Sequence, residues 1–364
     1  MMDRRKFMTA AGVGAAATAL AAPAVAQSEP SVRWRMASSF PKSVDNIFGA
    51  AEALSHRLKA LTGGKFEIRV FASGELVPGF EVLNACEQGT VECGQTQGFY
   101  FIGKNKAFAF DAALPFGLNA RMHNAWMYYG GGLELVRELY REHNTILFPA
   151  GNSGAQMGGW WRSEFGSVAD LRGRKVRIPG IAGEIMARLG AVPQSIPGSD
   201  IYPALEKGTI DAAEWVGPYD DEKLGFYRVA PHYYFPGWWE GSSCVSFLVN
   251  LNEWNKLPQS YKDAFEVAAA EANVRMIAAY DAKNPPALAR LVQQGVQLHP
   301  YPKDVMTAAL KAANDLYEEE SAANPVFRRF YQSWSAFRHA QYQWYRIAEA
   351  SFSNFMAGQR LPFK

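Results

Sequence analysis

Short strand patterns alternate with longer helical patterns along most of this chain, and this alternation limits the fold more than any other feature. Residues 32–37 and 66–71 alternate apolar and polar side chains with the two-residue period of a β-strand. Between them lies a helical pattern that ends at Gly63–Gly64, since glycine favours a helix stop. Residues 145–215 repeat the strand–helix–strand spacing. The spacing therefore predicts an α/β fold with βαβ units around largely parallel strands.

Two places in this pattern indicate that the chain passes between two lobes. The first crossing is predicted near Ala150, and the second near Ser242, before a strongly apolar strand pattern that returns to the first lobe. Two crossings produce a two-lobe body with a cleft, and we expect each lobe to be a mixed sheet flanked by helices. We assign residues 27–150 and about 243–285 to lobe I, residues 151–242 and about 286–325 to lobe II, and residues 326–364 to a long C-terminal helix.

Residues 1–26 have the composition of a targeting segment and are left out of the fold. Arg4–Lys6 gives a positive start, Ala10–Ala22 an apolar stretch, and Ala24–Ala26 a small-residue cleavage site. The segment is short for a membrane span, so a cleaved signal is favoured over an anchor. The twin arginine resembles a Tat signal, although Met8–Thr9 departs from the usual Leu-Lys, which leaves Tat and Sec export open. We expect the mature protein in a bacterial periplasm.

Charge and cysteine content exclude some classes of protein. The chain has 37 basic and 35 acidic residues, and removing the targeting segment takes away three basic residues and one acidic residue, which leaves 34 of each. A neutral chain without a basic run argues against a nucleic-acid surface. The cysteines are Cys86, Cys93 and Cys244, and none of them forms a CxxC motif. Burial as small apolar side chains is favoured, and a Cys86–Cys93 bridge stays open.

The usual enzyme motifs are missing from the sequence. The six histidines never fall at HxxxH or HxxH spacing, and neither HExxH nor GxSxG occurs. Glycine-rich pieces such as Gly130–Gly132 do not complete a dinucleotide-binding or phosphate-binding loop, and we interpret them as turns. The sequence therefore favours a binding protein. An exported enzyme that acts on a small carboxylic acid is the alternative.

Three polar side chains follow strand patterns in the central part of the chain. Arg177 lies in the pattern of residues 175–178, Glu214 lies near the end of the pattern of residues 210–215, and Gln156 follows an earlier strand. Ligands of open α/β sheets bind beyond the carboxyl ends of the strands. We therefore expect these three side chains to face one cleft.

Arg177 has two interpretations. A strand-end arginine is often paired with a surface acid and contributes little. A guanidinium group also holds a planar carboxylate through two parallel hydrogen bonds, a geometry that lysine lacks. We favour the second interpretation, in which Arg177 grips the carboxylate of a ligand.

Two glutamates lie among apolar neighbours. Glu214 follows Ala212–Ala213 and Glu240 follows Trp238–Trp239, and an unpaired carboxylate is costly in such surroundings. Two of them repel an anionic ligand unless protons or a cation join them. Carboxylate, amide and carbonyl oxygens suit a hard ion such as Na⁺ or Ca²⁺ rather than zinc. The sequence therefore predicts a cation held by both glutamates and Gln156.

The last helical pattern carries a stripe of large aromatic side chains. A helix of this kind needs a surface that buries the stripe. Packing on the protein's own body and docking against a second subunit are both open on this pattern. The stripe follows a near-heptad spacing through Phe330, Trp334, Phe337, Trp344, Ala348 and Phe355.

Several segments together carry a family resemblance. They are WRMASSFP (Trp34–Pro41), GTVECG (Gly89–Gly94), LRGRKVRIP (Leu171–Pro179), ALEKGTIDAA (Ala204–Ala213) and NLNEW (Asn250–Trp254). With them the chain resembles, over nearly its whole mature length, the DctP-like solute receptors of tripartite ATP-independent periplasmic (TRAP) transporters. The resemblance implies a two-lobe periplasmic-binding-protein fold that closes on its ligand and delivers it to TRAP membrane subunits. A receptor for a different transporter class is a further alternative.

Within that family, AEWVGP (Ala213–Pro218) and WWE (Trp238–Glu240) resemble the receptors for 2-oxo acids and lactate. The resemblance implies a small monocarboxylate bound together with Na⁺ or Ca²⁺. The C-terminal helix resembles one that is exchanged between subunits in the keto-acid receptors, which implies a homodimer. The site implied by the resemblance comprises metal ligands Gln156, Glu214, the carbonyl of Trp215 and Glu240, the carboxylate-binding Arg177, and the further ligand contacts Tyr100 and Asn152.

Overall fold

The computed structural model describes residues 29–359, and the predicted targeting segment, residues 1–26, lies outside them. From Val32 onward strands and helices alternate, as the sequence patterns predict. The strands are β1 (Val32–Ser38), β2 (Phe66–Phe71), β3 (Cys93–Thr96), β4 (Thr145–Asn152), β5 (Trp160–Trp161), β6 (Lys175–Arg177), β7 (Val192–Gln194), β8 (Ala212–Ala213), β9 (His232–Phe235), β10 (Cys244–Asn250) and β11 (Gln297–Pro300).

Helices connect and cover these strands. A π-helical turn, Arg346–Ala350, joins the last two helices, and short 3₁₀ turns occur in the connections. The α-helices are α1 (Asp45–Leu61), α2 (Val82–Glu87), α3 (Ala120–Tyr129), α4 (Gly132–Arg141), α5 (Gly180–Arg188), α6 (Gly198–Glu206), α7 (Pro218–Leu224), α8 (Leu251–Lys256), α9 (Gln259–Gln293), α10 (Lys303–Ala323), α11 (Pro325–Tyr345) and α12 (Ser351–Ala357).

The first sheet joins residues from two distant parts of the chain. Its strand order is β2-β1-β3-β10-β4. β1 runs parallel to β2 and β3, whereas β10 runs antiparallel to β3 and β4. Every residue of β4 and β10 is buried, which fits their mainly apolar sequences. The predicted return of the strand near residues 242–250 to the first sheet is therefore confirmed.

The second sheet has the order β11-β9-β5-β8-β6-β7. β6 runs parallel to β7 and β8, and β9 runs parallel to β11, whereas β5 runs antiparallel to β8 and β9. Two mixed sheets flanked by helices confirm the predicted α/β fold class. The chain crosses between the sheets after β4, again before β10, and a third time between β10 and β11. The residue boundaries of the two lobes stay a prediction.

The helix α9 differs from the sequence prediction. The sequence pattern predicts a helix from about Pro258 that ends at the Pro285–Pro286 pair, yet α9 continues through the pair and is 35 residues long. Proline inside a helix removes a hydrogen bond and costs about 3 kcal/mol. Buried side chains on both sides of the pair, Tyr280 before it and Ala287 and Leu291 after it, hold the helix in place. Tertiary packing therefore outweighs the local break, and the predicted lobe boundary at residue 285 falls inside one helix.

The C-terminal aromatic stripe divides into two parts. Phe327, Phe330 and Trp334 are buried, and their rings lie 5.0, 5.4 and 5.9 Å from the ring of Phe110. Farther along the helix the large side chains are exposed. The exposed fractions are 59% for Trp344, 68% for Ile347, 66% for Phe352 and 65% for Phe355.

The cysteines and helices settle two smaller points. All three cysteines are buried and free in the part of the chain that the structure describes, so Cys86 and Cys93 are not bridged. Between residues 29 and 359, no helix combines the length and apolar character that crossing a membrane requires.

Candidate functional site

Two neighbouring strand ends bring Arg177 and Glu214 together. Arg177 is the last residue of β6, and Glu214 directly follows the parallel strand β8, in which Ala213 lies opposite Arg177. The backbone N–H of Glu214 donates to the carbonyl of Arg177 at 3.1 Å. Both side chains are buried, and Arg177 Nη1 forms an ion pair with Glu214 Oε1. The strand-end rule thus correctly predicts that these two residues meet.

Gln156 and Glu240 lie on the first two chain crossings between the sheets. Gln156 lies between β4 and β5, and Glu240 lies between β9 and β10. Backbone hydrogen bonds pair the crossings, because Gln156 N donates to Glu240 O at 3.0 Å and Gly237 N donates to Gln156 O at 2.9 Å. Ser153 N also donates to Ser243 O at 3.0 Å. The two crossings therefore form one paired connection, which carries two of the predicted ligand residues.

These four side chains line one cavity of about 20 Å³. A space of that size holds one water-sized occupant. The cleft is therefore closed in this conformation, and a molecule of several heavy atoms enters only when the walls separate. The remaining lining comes from both sides of the cleft and is mainly apolar: Phe40, Ile47, Gln97, Phe99, Tyr100, Pro179, Trp215 and Val216.

Four side-chain polar atoms of the cavity lining are buried, and no hydrogen-bond partner reaches them from residues 29–359. One is the indole Nε1 of Trp215, and the other three are Gln156 Oε1, Arg177 Nη2 and Glu240 Oε2, which we call the open polar atoms. Leaving a buried polar group unpaired costs about 1–3 kcal/mol, so native structures rarely do so without a reason. Two oxygen acceptors suit a hard cation, and a guanidinium donor suits an anion. The residues present therefore fit a cation together with a carboxylate.

The guanidinium of Arg177 is held on one side and open on the other. Its Nε donates to Ile196 O at 3.0 Å, and its Nη1 donates to Glu214 O at 3.2 Å in addition to the ion pair. The indole ring of Trp215 lies 5.2 Å from its central carbon. The Nη2 atom is therefore the one available to a ligand. If both Nη1 and Nη2 donate to a ligand carboxylate, Nη1 must donate to Glu214 and to the ligand at the same time.

Burial controls the protonation of the two glutamates. Burial raises the pKa of Glu214 to about 7, against the opposing charge of Arg177. Burial and the neighbouring charge of Glu214 raise the pKa of Glu240 well above its ordinary value, although Ser243, Arg177 and Gln156 oppose the shift. Burial thus shifts both carboxyl groups toward their protonated forms, although Glu214 is ion-paired with Arg177. A cation among them would displace those protons and keep both groups ionised.

The other predicted contacts have different outcomes. Tyr100 and Trp215 line the cavity, and burial raises the pKa of the Tyr100 phenol, against the charge of Arg177. Asn152, the last residue of β4, is buried but does not line the cavity, and its Oδ1 accepts from Gly154 N at 2.9 Å. Gln97, which the sequence analysis missed, lines the cavity just after β3 and donates from Nε2 to Ser243 Oγ at 2.5 Å. The strand-end rule applies to it and could have identified it.

A cleft between two α/β sheets, closed over one arginine and two carboxyl groups, is the arrangement of a solute-binding protein. The chain belongs to family 7 of the bacterial extracellular solute-binding proteins, the DctP family, whose family model matches residues 37–323. Over 365 residues the chain is also 48% identical to the monocarboxylate 2-oxoacid-binding periplasmic protein of Nostoc sp., with 99% of this chain and 100% of that protein covered.

Solved structures of similar proteins share the whole fold. A TRAP transporter solute-binding protein from Bordetella bronchiseptica is 52% identical, with a TM-score of 0.89, covering 90% of this chain and 97% of that chain. It is a mixed-occupancy dimer with copurified calcium and picolinate in one site and an apo second site. A TRAP periplasmic solute-binding protein from Pseudoalteromonas atlantica, with bound sodium and pyruvate, is 33% identical, with a TM-score of 0.86, covering 89% of this chain and 98% of that chain.

Proposed function

We propose that this protein is the periplasmic receptor of a TRAP transporter and captures a small monocarboxylate together with a Na⁺ or Ca²⁺ ion. The ligand class is a 2-oxo acid such as pyruvate, or lactate, which the receptor delivers to the membrane subunits. The observation that carries the proposal is the grouping of the three open polar atoms in one closed cavity. Two of them are acceptors for a cation, and the third is a donor for an anion.

Each site residue has a distinct part in this proposal. Gln156, Glu214, Glu240 and the carbonyl of Trp215 hold the cation, and Arg177 binds the carboxylate through Nη2. The cation supplies the positive charge that allows an anion to lie beside two carboxylates. The two glutamates, the ligand carboxylate and Arg177 together carry a net charge of −2. Ca²⁺ neutralises this charge, whereas Na⁺ reduces it to −1.

Tyr100 and Asn152 have supporting parts. Tyr100 lies in the wall that also contains Arg177, and its proposed part is a contact from its hydroxyl to the ligand. Asn152 holds the first crossing through Gly154, and its buried Nδ2 lacks a hydrogen-bond partner among residues 29–359. We propose that this nitrogen contacts the ligand when the cleft is open.

The ligands of the two similar structures share one chemical feature that supports this class. Pyruvate has a keto oxygen, and picolinate a ring nitrogen, on the carbon next to the carboxylate. Such a ligand offers a cation two donor atoms that close a five-membered ring. A dicarboxylate adds a second negative charge, and Arg177 is the only lysine or arginine among the described residues that line the cavity.

Cleft closure is the proposed binding mechanism. The cavity walls come from both sides of the cleft, and the paired crossings between the sheets carry Gln156 and Glu240, so a ligand that contacts both walls favours a closed form in which the walls are far enough apart to enclose it. A ligand of six heavy atoms has a limit of about 9 kcal/mol, a Kd in the sub-micromolar range. So small a ligand approaches this limit only if its charge is well matched. Both Arg177 and the cation are therefore needed.

Thermal melting of the mature protein against a panel of acids tests the ligand class. A ligand that binds only the native state raises the melting midpoint with the logarithm of its concentration over Kd. We expect pyruvate, longer 2-oxo acids and lactate to raise the midpoint by several degrees at millimolar concentration. Succinate and glucose are the matched negative ligands. Stabilisation by succinate equal to that by pyruvate would contradict the assignment.

Binding without turnover also fits the cavity. Its described lining residues include no histidine, cysteine, serine or lysine, and its possible proton-transfer groups, Glu214, Glu240 and Tyr100, are assigned here to the cation and the ligand. We therefore expect pyruvate incubated with the protein to be recovered unchanged, as followed by NMR. Conversion of the acid would instead support the exported enzyme.

We propose that the exposed part of the C-terminal helix forms a homodimer. Its four large apolar side chains are exposed, and a groove of about 710 Å³, which Phe116, Leu310 and Tyr342 help to line, also runs along this part of the helix. Burying each such side chain contributes about 1.5–3 kcal/mol. The dimer of the Bordetella relative supports this proposal.

Charges placed on this surface should separate the subunits. We expect Trp344→Asp combined with Phe352→Asp to weaken dimerisation about 100-fold or more, as measured by light scattering across a dilution series. Asn314→Asp, an exposed change on α10, is the matched control. A double variant that stays dimeric at the dilution where the wild type begins to dissociate would refute the role of this helix.

A further inference from the structure

Two histidines and a glutamate meet on the outer strands of the second sheet. His232 begins β9 and His299 lies in β11, which runs parallel to β9 with Gln297 opposite His232. Since side chains two residues apart on a strand share a face, His299 lies on the same face as His232. Glu164 lies in the connection that follows β5, the strand beside β9. None of these residues belongs to the cleft described above.

The distances among these three residues match those of metal ligands. His232 Nδ1 and His299 Nε2 are 3.1 Å apart, and His299 Nδ1 lies 3.6 Å from Glu164 Oε1. One ligand atom from each residue can be chosen so that all lie within 4.8 Å of one another. Two imidazole nitrogens bound to one metal at about 2.05 Å are about 2.9–3.4 Å apart for angles between 90° and 109°. The histidine pair is already at this spacing.

Tyr234 fixes the connection that carries the glutamate. Its hydroxyl accepts from Phe165 N at 2.8 Å and donates to Phe165 O at 2.9 Å. Its ring stacks on Phe165 at 4.2 Å and on His299 at 5.0 Å. One buried tyrosine therefore holds both the residue next to Glu164 and the His299 ring. A site built on strands and a clamped turn is preorganised for binding.

A hydrogen bond between two neutral imidazoles is the ordinary explanation for the 3.1 Å spacing. The position of Glu164 favours a metal site instead. Among the described residues its only ion-pair partner is His299, and its side chain is 64% exposed. An ion pair formed by a glutamate this exposed contributes little to stability. As a third ligand, or as an acceptor for the free ring N–H of a metal-bound histidine, it has a defined use.

We propose that His232, His299 and Glu164 bind a divalent transition-metal ion, represented by Zn²⁺, with water at the remaining position. Two nitrogens and one carboxylate suit Zn²⁺ and its neighbours, whereas the oxygen-lined cleft suits Na⁺ or Ca²⁺. The ion ties β9, β11 and the connection after β5 to one another. The histidines are 67 residues apart in the sequence, so no spacing motif indicates the site.

Calorimetric titration of the mature, untagged protein with Zn²⁺ tests this proposal, with Ca²⁺ present to occupy the cleft. We expect one saturable site, and we expect His232→Ala and His299→Ala each to weaken it about 10-fold or more. Glu164→Gln, an exposed change that leaves the fold intact, should also weaken it. His56→Ala removes an exposed histidine elsewhere and is the matched control.

Co²⁺ provides a second readout. We expect Co²⁺ to give visible absorption bands of a nitrogen-ligated ion, which Zn²⁺ displaces and which are lost in His299→Ala. Melting curves of the variants in chelator show whether each one is folded. A wild type without a saturable site, or Zn²⁺ binding unchanged in both histidine variants, would overturn the proposal.

Discussion

Arg177→Lys is expected to weaken pyruvate binding by about 100-fold. The guanidinium uses its three nitrogens in different directions. Nε donates to Ile196 O, Nη1 donates to Glu214, and Nη2 remains free to donate to a ligand. A lysine has one nitrogen and cannot span these positions. Losing one or two charge-assisted hydrogen bonds at about 1.5–3 kcal/mol each corresponds to this fold-change.

Calorimetric titration with pyruvate at saturating Ca²⁺ measures this effect. Arg188→Lys is the matched control, because Arg188 makes a two-bond pair with Glu319 at the surface, far more exposed than Arg177. We expect the control to bind pyruvate like the wild type. Melting curves in chelator show whether the Arg177 variant is folded. A folded Arg177→Lys protein with wild-type affinity for pyruvate would show that Arg177 does not bind the ligand carboxylate.

Glu240→Gln is expected to remove cation-dependent ligand binding while leaving the ligand-free protein as stable as the wild type. Burial and the charge of Glu214 raise the pKa of Glu240 well above its ordinary value, which favours the protonated acid when no cation is bound. Glutamine has the same shape as the protonated acid, which keeps the ligand-free fold intact. It lacks the negative charge that a hard cation requires, so we expect Ca²⁺ affinity to fall about 100-fold.

Two melting curves separate these effects. In chelator, Glu240→Gln should melt within about a degree of the wild type, since the expected change in the free energy of unfolding is small. With Ca²⁺ and pyruvate the wild type should gain several degrees and the variant almost none. Glu138→Gln, at an exposed glutamate paired with Arg329, should behave like the wild type in both conditions. Full stabilisation of Glu240→Gln by Ca²⁺ and pyruvate would remove Glu240 from the cation site.

The parts of the site that sequence predicts well are those fixed by local rules. Strand periodicity locates β6 and β8, and parallel pairing then places Arg177 beside Glu214 without further information. The apolar neighbours of Glu240 indicate a buried carboxylate, which the structure contains. Residues that belong to the carboxyl ends of strands are thus accessible to prediction.

Other features depend on contacts between distant parts of the chain. The pairing of the two crossings joins Gln156 to Glu240 through backbone hydrogen bonds that no side-chain pattern encodes. The Pro285–Pro286 pair predicts a helix break, because the packing that holds α9 together on both sides is invisible in the local sequence. Only the first part of the aromatic stripe on the C-terminal helix is buried, because Phe110 packs against that part. The spacing of the stripe in the sequence does not reveal this contact.

The most direct test of the central claim, that cation and carboxylate bind together, is titration of chelator-treated mature protein with pyruvate. The titration is run first in K⁺ alone and then after addition of Ca²⁺ or Na⁺. Because the cation offsets two carboxylates beside the ligand, we expect no measurable binding in K⁺ and one site per chain, with micromolar or tighter affinity, once Ca²⁺ or Na⁺ is present. Equal pyruvate affinity with and without these cations would contradict the account.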